Sequence, residues 1–179
     1  MQVDVPAEYQ HLYVTNEERP VVKIPNPVLR QKATEVDKVG PKFHKLISEM
    51  ERIMRQANGI GIAAPQIGVG KRVILIAPDG MRPMALINPE IVKVEGPSTP
   101  GQEGCLSIPG LYGDVSRQLQ VVVHALDRKG RAIEMELEGL PARVVQHEID
   151  HLDGVLFIDK VDTATLHWQD PDKNPEDNE

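Results

Sequence analysis

Hydrophobic residues recur every three or four positions in the segment 41–57, which predicts an amphipathic helix. Pro41 suits the first turn of this helix, where its missing N–H is not needed. Asn58 and Gly59 are typical residues for its end. A second helix is predicted over about 140–152. The apolar positions of the first helix are Phe43, Leu46, Ile47, Met50, Ile53, Met54 and Ala57.

Between the two helices, the apolar runs are short and bounded by proline and glycine, which is typical of strands. Three such runs are predicted at 72–77, 84–88 and 90–95. The segments 119–126 and 132–138 flank Asp127–Gly130 and predict a hairpin. A strand-rich middle with a helix on each side indicates an α+β domain.

The ends of the chain differ from its body. Residues 1–20 are polar with little periodicity and are expected to form an extension or irregular arm. Residues 21–162 are expected to form one catalytic domain. The segment 163–179 contains Pro171, Pro175 and many acids, so it is predicted to be a disordered tail.

Composition and charge exclude several classes of protein. The 179 residues include one cysteine, so an intrachain disulfide is excluded. The net charge is −7, and residues 159–179 contain seven acids and two bases, so no basic surface for nucleic acid is expected. No stretch approaches 18 apolar residues, and the first residues lack the pattern of a signal peptide. The predictions are a cytoplasmic location, no membrane contact and no direct nucleic-acid site.

The segment Gln146–Gly154 contains the pattern HExxH, formed by His147, Glu148 and His151. Residues four positions apart lie on one face of a helix, so both imidazoles can bind one metal ion. A carboxylate beside them can take a proton from a metal-bound water. The pattern also arises by chance on surface helices, but apolar neighbours such as Val144 and Leu152 indicate a buried helix.

A catalytic metal site needs a third protein ligand and an open position. Phe157 stands where a metzincin would have its third histidine, and His167 lies in the predicted tail. The best candidate is therefore upstream: Cys105, in the segment EGCLS at 103–107. A lone cysteine is more often a small buried hydrophobic residue, but here it lies in a constrained loop or strand end.

The segment 59–66, GIGIAAPQ, is a third candidate for function. Its two glycines allow a backbone to approach a ligand closely. Ile60 and Ile62 are expected to present an apolar wall, and Gln66 could donate to a developing oxyanion. Because the segment follows a helix rather than a strand, it does not fit a dinucleotide fingerprint.

Taken together and in this order, GIGIAAPQ at 59–66, EGCLS at 103–107 and HEIDH at 147–151 resemble the motifs of the peptide deformylase family. The resemblance covers about residues 21–162. It implies small antiparallel sheets wrapped around a central metal-binding HExxH helix, with a second amphipathic helix nearer the N-terminus. It also implies removal of the formyl group from the N-terminal formylmethionine of newly made polypeptides.

The resemblance implies a role for each matching residue. One divalent metal would be held by Cys105, His147 and His151, with water as the fourth ligand. That water would attack the formyl carbon, with Glu148 as general base and then acid. The side chain of Gln66 and the backbone N–H of Leu106 would stabilise the oxyanion. The substrate would contact Gly59, Ile60, Gly61, Leu140 and Val144, of which Ile60, Leu140 and Val144 would line the methionine pocket.

The resemblance further implies Fe(II) as the native metal, with zinc, nickel or cobalt as substitutes in purified protein. The expected partners are N-formylmethionyl nascent peptides. Related bacterial enzymes often end in a basic helix implicated in ribosome docking, whereas this chain becomes acidic. Any ribosome contact is therefore expected to be weak and to use another surface.

Two other interpretations of the motifs remain at the level of sequence. One is an HExxH endopeptidase, which would need a third ligand from downstream. The other is a metal-stabilised structural or binding module, in which Glu148 and Gln66 have no catalytic role. The second interpretation leaves the segments 59–66 and 103–107 unexplained.

Overall fold

The computed structural model describes residues 1–78 and 80–172. Both predicted helices are present: α1 spans Pro41–Gln56 and α2 spans Leu140–Leu152. Asn58 has a positive φ of 52° just after α1. Gly154 follows α2 with a φ of 72° and packs against the backbone of Arg30, where a side chain would not fit.

The strands of the described chain are β1 Gly61–Ala63, β2 Val73–Ile76, β3 Met84–Thr99, β4 Gln102–Cys105, β5 Ile108–Asp114, β6 Arg117–Leu126, β7 Ala132–Glu138 and β8 His167–Trp168. A five-stranded antiparallel sheet has the order β1-β2-β3-β6-β7. A second antiparallel sheet has the order β4-β5-β8. The predicted hairpin of 119–126 and 132–138 is confirmed as β6 and β7.

The two strands predicted at 84–88 and 90–95 are one long strand, β3. The predicted break survives as an irregularity, because the register with β6 shifts between Ile87 and Glu90. Asn88 has a φ of 50°, which asparagine tolerates better than most residues. Its side-chain amide exchanges two hydrogen bonds, of 2.8 and 2.9 Å, with the backbone of Val36. The strand therefore bends without ending.

Helix α2 lies at the centre of the molecule. It contacts β1, β2, β3, β6 and β7 of the larger sheet, and its apolar residues share a core with that sheet. Helix α1 packs in a second core with β1 and β2. The α+β class, with small antiparallel sheets around the HExxH helix and a second amphipathic helix, is confirmed.

Both ends of the described chain pack on the body. The N-terminal segment forms a 3-10 helix, Ala7–Tyr13, with Leu12 fully buried. The expectation of a disordered tail from residue 163 is wrong for residues 163–172. That part contains the 3-10 helix Thr163–Thr165 and strand β8, which pairs with β5. Apolar Leu166 and Trp168 pack against the small sheet, so the acidic composition of the segment misled the prediction. Residues 173–179 lie outside the described part.

Among the described residues, no helix is long and apolar enough to cross a membrane.

Candidate metal centre

The three predicted ligands come from two elements that meet at the centre of the fold. Cys105 is the last residue of β4, and His147 and His151 lie one turn apart on α2. One donor atom from each lies within 4.8 Å of the others. The Sγ atom of Cys105 is 3.3 Å from Nε2 of His151. The structure therefore brings together the Cys-His-His set that sequence spacing alone left dispersed.

Burial makes this cluster a site rather than a solvated surface. Cys105 and His147 are each 9% exposed, and His151 is 1% exposed. The Nδ1 atom of His151 and Oε2 of Glu148 are buried without a hydrogen-bond partner among the described residues. Buried imidazoles and a buried carboxylate are costly unless something binds them. A soft sulfur donor and two imidazole nitrogens suit a divalent transition metal, so the residues fit such an ion.

A buried carboxylate orients His147. Glu103 is two positions before Cys105 on β4, so both side chains lie on the same face of the strand. Its Oε2 is 2.9 Å from Nδ1 of His147. This arrangement leaves Nε2 of His147 available to a metal ion, as is typical where a carboxylate orients a metal-binding histidine.

Two arginines donate hydrogen bonds to the carboxylate of Glu103. Arg117 donates to both carboxylate oxygens at 2.9 Å, and Arg143 donates to one of them at 3.0 Å. Burial by itself would raise the pKa of Glu103, but the hydrogen bonds from Arg117 and His147 outweigh it and lower the pKa to about 2. Arg117 also donates to Asp150 of α2 at 2.5 Å. The network thus ties β4 and β6 to the metal-binding helix.

The pKa values of the titratable groups at the centre are shifted in different directions. Burial raises the pKa of Glu148 to about 7, which is the range expected of a general acid or base at neutral pH. For His151, burial and the neighbouring His147 charge hold the pKa well below its usual range. Burial also opposes a charge on His147, but hydrogen bonds with Cys105 and Glu103 raise its pKa.

Gln66 reaches the centre from the 3-10 helix Ala64–Ile67. Its Oε1 accepts from the backbone N–H of Ala63 at 2.9 Å. The amide group therefore points its Nε2 toward the centre, 3.6 Å from Sγ of Cys105 and 3.2 Å from Oγ of Ser107. The side chain is 2% exposed, so it is held in one orientation beside the sulfur.

The remaining predicted residues line one cleft of about 630 Å³ that also contains Cys105, His147 and Glu148. The residues placed there are Gly59, Ile60, Gly61, Leu106, Leu140 and Val144. Ile62 does not share the cleft wall with Ile60, because it is fully buried in the core with α1. His167 is not part of the donor cluster and pairs in β8 with Tyr112 of β5.

Sequence reasoning missed the network around Glu103, Arg117, Arg143 and Asp150. The position of Glu103 was a usable signal. It lies two residues before Cys105, so in a strand the two side chains share a face. Nothing local to Arg117 or Arg143 indicated a role, because their partners lie 14 and 40 positions away in the chain.

The centre combines two histidines one turn apart on a buried helix with a cysteine sulfur and a buried carboxylate. This combination is typical of a metal-dependent hydrolase. Sequence comparison gives the family. Residues 18–166 match the family described as polypeptide deformylase, and the chain belongs to that family. The predicted class of enzyme is thereby confirmed.

Individual relatives agree with this assignment. The chain is 46% identical to the peptide deformylase of Desulforudis audaxviator over 143 residues, which are 80% of this chain and 93% of the relative. It is 51% identical to that of Alkalilimnicola ehrlichii over 142 residues, 78% of this chain and 79% of the relative. The crystal structure of a peptide deformylase from Synechococcus elongatus in complex with actinonin has a TM-score of 0.78 at 42% identity, covering 80% of each chain.

Proposed function

We propose that this chain removes the N-formyl group from the N-terminal formylmethionine of newly made polypeptides and releases formate. The observation that carries the proposal is the convergence of Cys105, His147 and His151 within 4.8 Å, with buried Glu148 between the histidines on the same helix. Upstream Cys105 supplies the third donor, which favours a deformylase over an endopeptidase with a downstream ligand.

Cys105, His147 and His151 would hold one divalent metal, with Fe(II) as the native ion and zinc, nickel or cobalt as substitutes. Such an ion, when bound, acts as a Lewis acid and lowers the pKa of a coordinated water toward about 7. Glu103 keeps the ring of His147 in the required orientation through its 2.9 Å hydrogen bond.

Glu148 is the general base and then the general acid. Its Oε2 is buried and has no protein partner among the described residues, so it is free to take the proton of the attacking water. The same carboxyl group then gives that proton to the amine that leaves when the formyl C–N bond breaks. The products are formate and a free amino terminus.

Gln66 and the backbone N–H of Leu106 would stabilise the tetrahedral oxyanion. The fixed orientation of Gln66 places its N–H donors next to the sulfur of Cys105. Leu106 follows Cys105 directly in the turn between β4 and β5 and lines the cleft. Donors fixed before the reaction need no reorganisation as charge develops.

The substrate backbone would add to the sheet at Gly59, Ile60 and Gly61. Strand β1 lies at one edge of the larger sheet and pairs only with β2 among the described strands, so its other side is open to a peptide. The methionine side chain would occupy the pocket lined by Ile60, Leu140 and Val144. Leu140 and Ile60 are 45% and 38% exposed, which is consistent with a wall that a ligand covers.

The catalytic domain is taken as residues 21–162, preceded by the N-terminal arm. The partners are N-formylmethionyl nascent peptides in the cytoplasm, with at most a weak ribosome contact. No direct nucleic-acid site is proposed, since the body of the chain is close to neutral.

Replacing Glu148 with alanine tests the proposal against a structural metal site. The variant is loaded anaerobically with Fe(II), its metal content is measured, and formate release from a formyl-Met peptide is followed. We expect metal to be retained and turnover to fall by about 100-fold or more. Unchanged turnover in a metal-loaded variant would remove Glu148 from the mechanism, and a wild type that releases no formate would refute the function itself.

A further inference from the structure

The cleft extends beyond the predicted site residues to both ends of the chain. Its walls also include Leu12, Glu18, Arg19, Lys23, Pro171 and Asp172, which we call the arm wall. Three of these residues, Leu12, Pro171 and Asp172, lie outside the family match of 18–166. Part of this cleft is therefore built by segments outside the family match.

The arm is firmly packed. Leu12 is fully buried, and the ring of Tyr9 stacks on that of Trp168 with centroids 4.9 Å apart. Both Tyr9 and Leu12 lie so close to Gly110 of β5 that a side chain there would be 3.2 Å from each. These contacts join the arm to β5 and β8.

The loop between the arm and the body is also held on two sides. Asn16 Oδ1 accepts from the backbone N–H groups of Glu18 and Arg19 at 3.0 and 2.8 Å, which forms a tight turn. Gln56, at the end of α1, donates to the backbone oxygen of Glu18 at 2.8 Å. Arg19 donates to Asp172 at 2.6 Å. The wall is thus formed before any ligand binds.

Within the arm wall, Lys23 is the residue that indicates a binding site. It is 8% exposed, and its ammonium donates to the backbone oxygen of Val21 at 2.7 Å. That is the one acceptor it has in the described part of the chain, although an ammonium carries three donors. A buried cation with unused donors is costly, so an acceptor from an occupant of the cleft would stabilise it.

We propose that the arm wall is the subsite for the peptide that follows the methionine, and that Lys23 donates to an oxygen of its third residue and favours an acidic side chain there. The inference rests on the proposed deformylase function. A peptide bound along the open edge of β1 runs on through the cleft after its methionine, and each extended residue spans about 3.3 Å. Among the described residues, the ammonium of Lys23 bonds to the backbone oxygen of Val21 and to no carboxylate, whereas Arg19 in the same wall is paired with Asp172.

The test compares formyl-Met-Ala-Glu-Ser and formyl-Met-Ala-Lys-Ser amides, with formyl-Met-Ala amide as the short reference. We expect the wild type to have a higher kcat/KM for the glutamate peptide than for the lysine peptide. Lys23→Met should reduce the ratio of these two kcat/KM values by about tenfold, mainly through a higher KM for the glutamate peptide. Lys23→Arg should retain most of the preference. Lys45→Met, on the exposed side of α1, is the matched control and should leave the ratio unchanged.

Asp172→Asn provides a second variant at an exposed position, where folding is not at risk. Loss of its ion pair with Arg19 should raise KM for the tetrapeptides relative to the short reference. An unchanged ratio in Lys23→Met, or an equal loss on all three substrates, overturns the inference. A wild type inactive on formyl-Met-Ala amide would instead refute the proposed function, so the two failures are distinct.

Discussion

The imidazole of His147 donates from Nδ1 to the carboxylate of Glu103 across 2.9 Å. Because the pKa of Glu103 is lowered to about 2, its carboxylate is an acceptor only, and the proton of the bond must belong to the histidine. This fixes the tautomer of His147 and directs its other nitrogen toward Cys105 and His151.

Replacing Glu103 with glutamine should therefore weaken metal binding. The amide is a poorer acceptor and leaves Arg117 with Asp150 as its one remaining acidic partner among the described residues, so we expect the affinity to fall about 10- to 100-fold. Competition with a chelator at neutral pH measures the change.

Glu134→Gln is the matched control for Glu103→Gln, since Glu134 forms an exposed pair with His124 on the outer hairpin. Glu103→Asp keeps the charge with a shorter reach and should give an intermediate affinity. If folded Glu103→Gln bound metal as tightly as the wild type, the carboxylate of Glu103 would not be needed to orient His147.

Gly61→Ala should abolish most turnover while the metal is kept. A methyl group at this position would meet Oε1 of Glu148 and lie 2.9 Å from Cγ1 of Val144, so the base must move. Displacement of a catalytic group by about 1 Å costs on the order of 100-fold in rate. The measurement is formate release at matched metal content.

Gly70→Ala is the control for Gly61→Ala, because nothing lies within 4 Å of the added methyl group there. It should turn over normally. If Gly61→Ala were as active as the wild type, the close approach of the Gly61 backbone to Glu148 would not matter for turnover.

The stability of the protein should rise with pH through the range in which Lys23 titrates. Burial first, and then the charge of Arg19, lower the pKa of Lys23 to about 8 from its ordinary value of 10.5. Between these values the unfolded chain holds a proton that the folded chain has lost, so the free energy of unfolding increases with pH. Below about pH 8 both states are protonated and the cost of burying the charge is fully present.

Urea unfolding of the wild type and Lys23→Met between pH 7 and 9.5 isolates this contribution. We expect the difference in midpoint between the two proteins to shrink as the pH rises, with Lys23→Met the more stable at pH 7. A difference that is independent of pH would mean that Lys23 titrates normally in the folded protein.

Removal of the acidic residues 173–179 should not alter any association with ribosomes. Glu176, Asp177 and Glu179 in this segment are repelled by RNA phosphates, so the segment is not expected to make the contact. Cosedimentation at low salt of the full chain and of a chain ending at Asp172 measures this. Loss of binding after the truncation would assign the contact to the tail.

The elements that sequence predicted best are those with a local signal. Helix α2 carries its own apolar stripe, and its HExxH motif places His147 and His151 on one face without knowledge of the rest of the fold. Cys105 could be selected because it is the one thiol in the chain. Local spacing and residue chemistry therefore identified the three candidate ligands that the structure places together.

The parts that sequence did not predict depend on distant contacts. Arg117 pairs with Glu103 and Asp150 only after β4, β6 and α2 have packed together. The pairing of β8 with β5 joins segments more than 50 positions apart. Polar composition indicated an irregular arm at the N-terminal end and disorder at the C-terminal end. In the described part of the chain, apolar side chains such as Leu12 and Trp168 pack both segments on the body.

The most direct test of the central claim is formate release by the Fe(II) enzyme, prepared without oxygen, from a short formyl-Met peptide. An acetyl-Met peptide and casein serve as parallel substrates at the same metal content. The account predicts turnover of the formyl peptide alone. The account would be contradicted if metal-loaded protein released no formate from the formyl peptide. Cleavage of casein would also contradict it and would favour an endopeptidase.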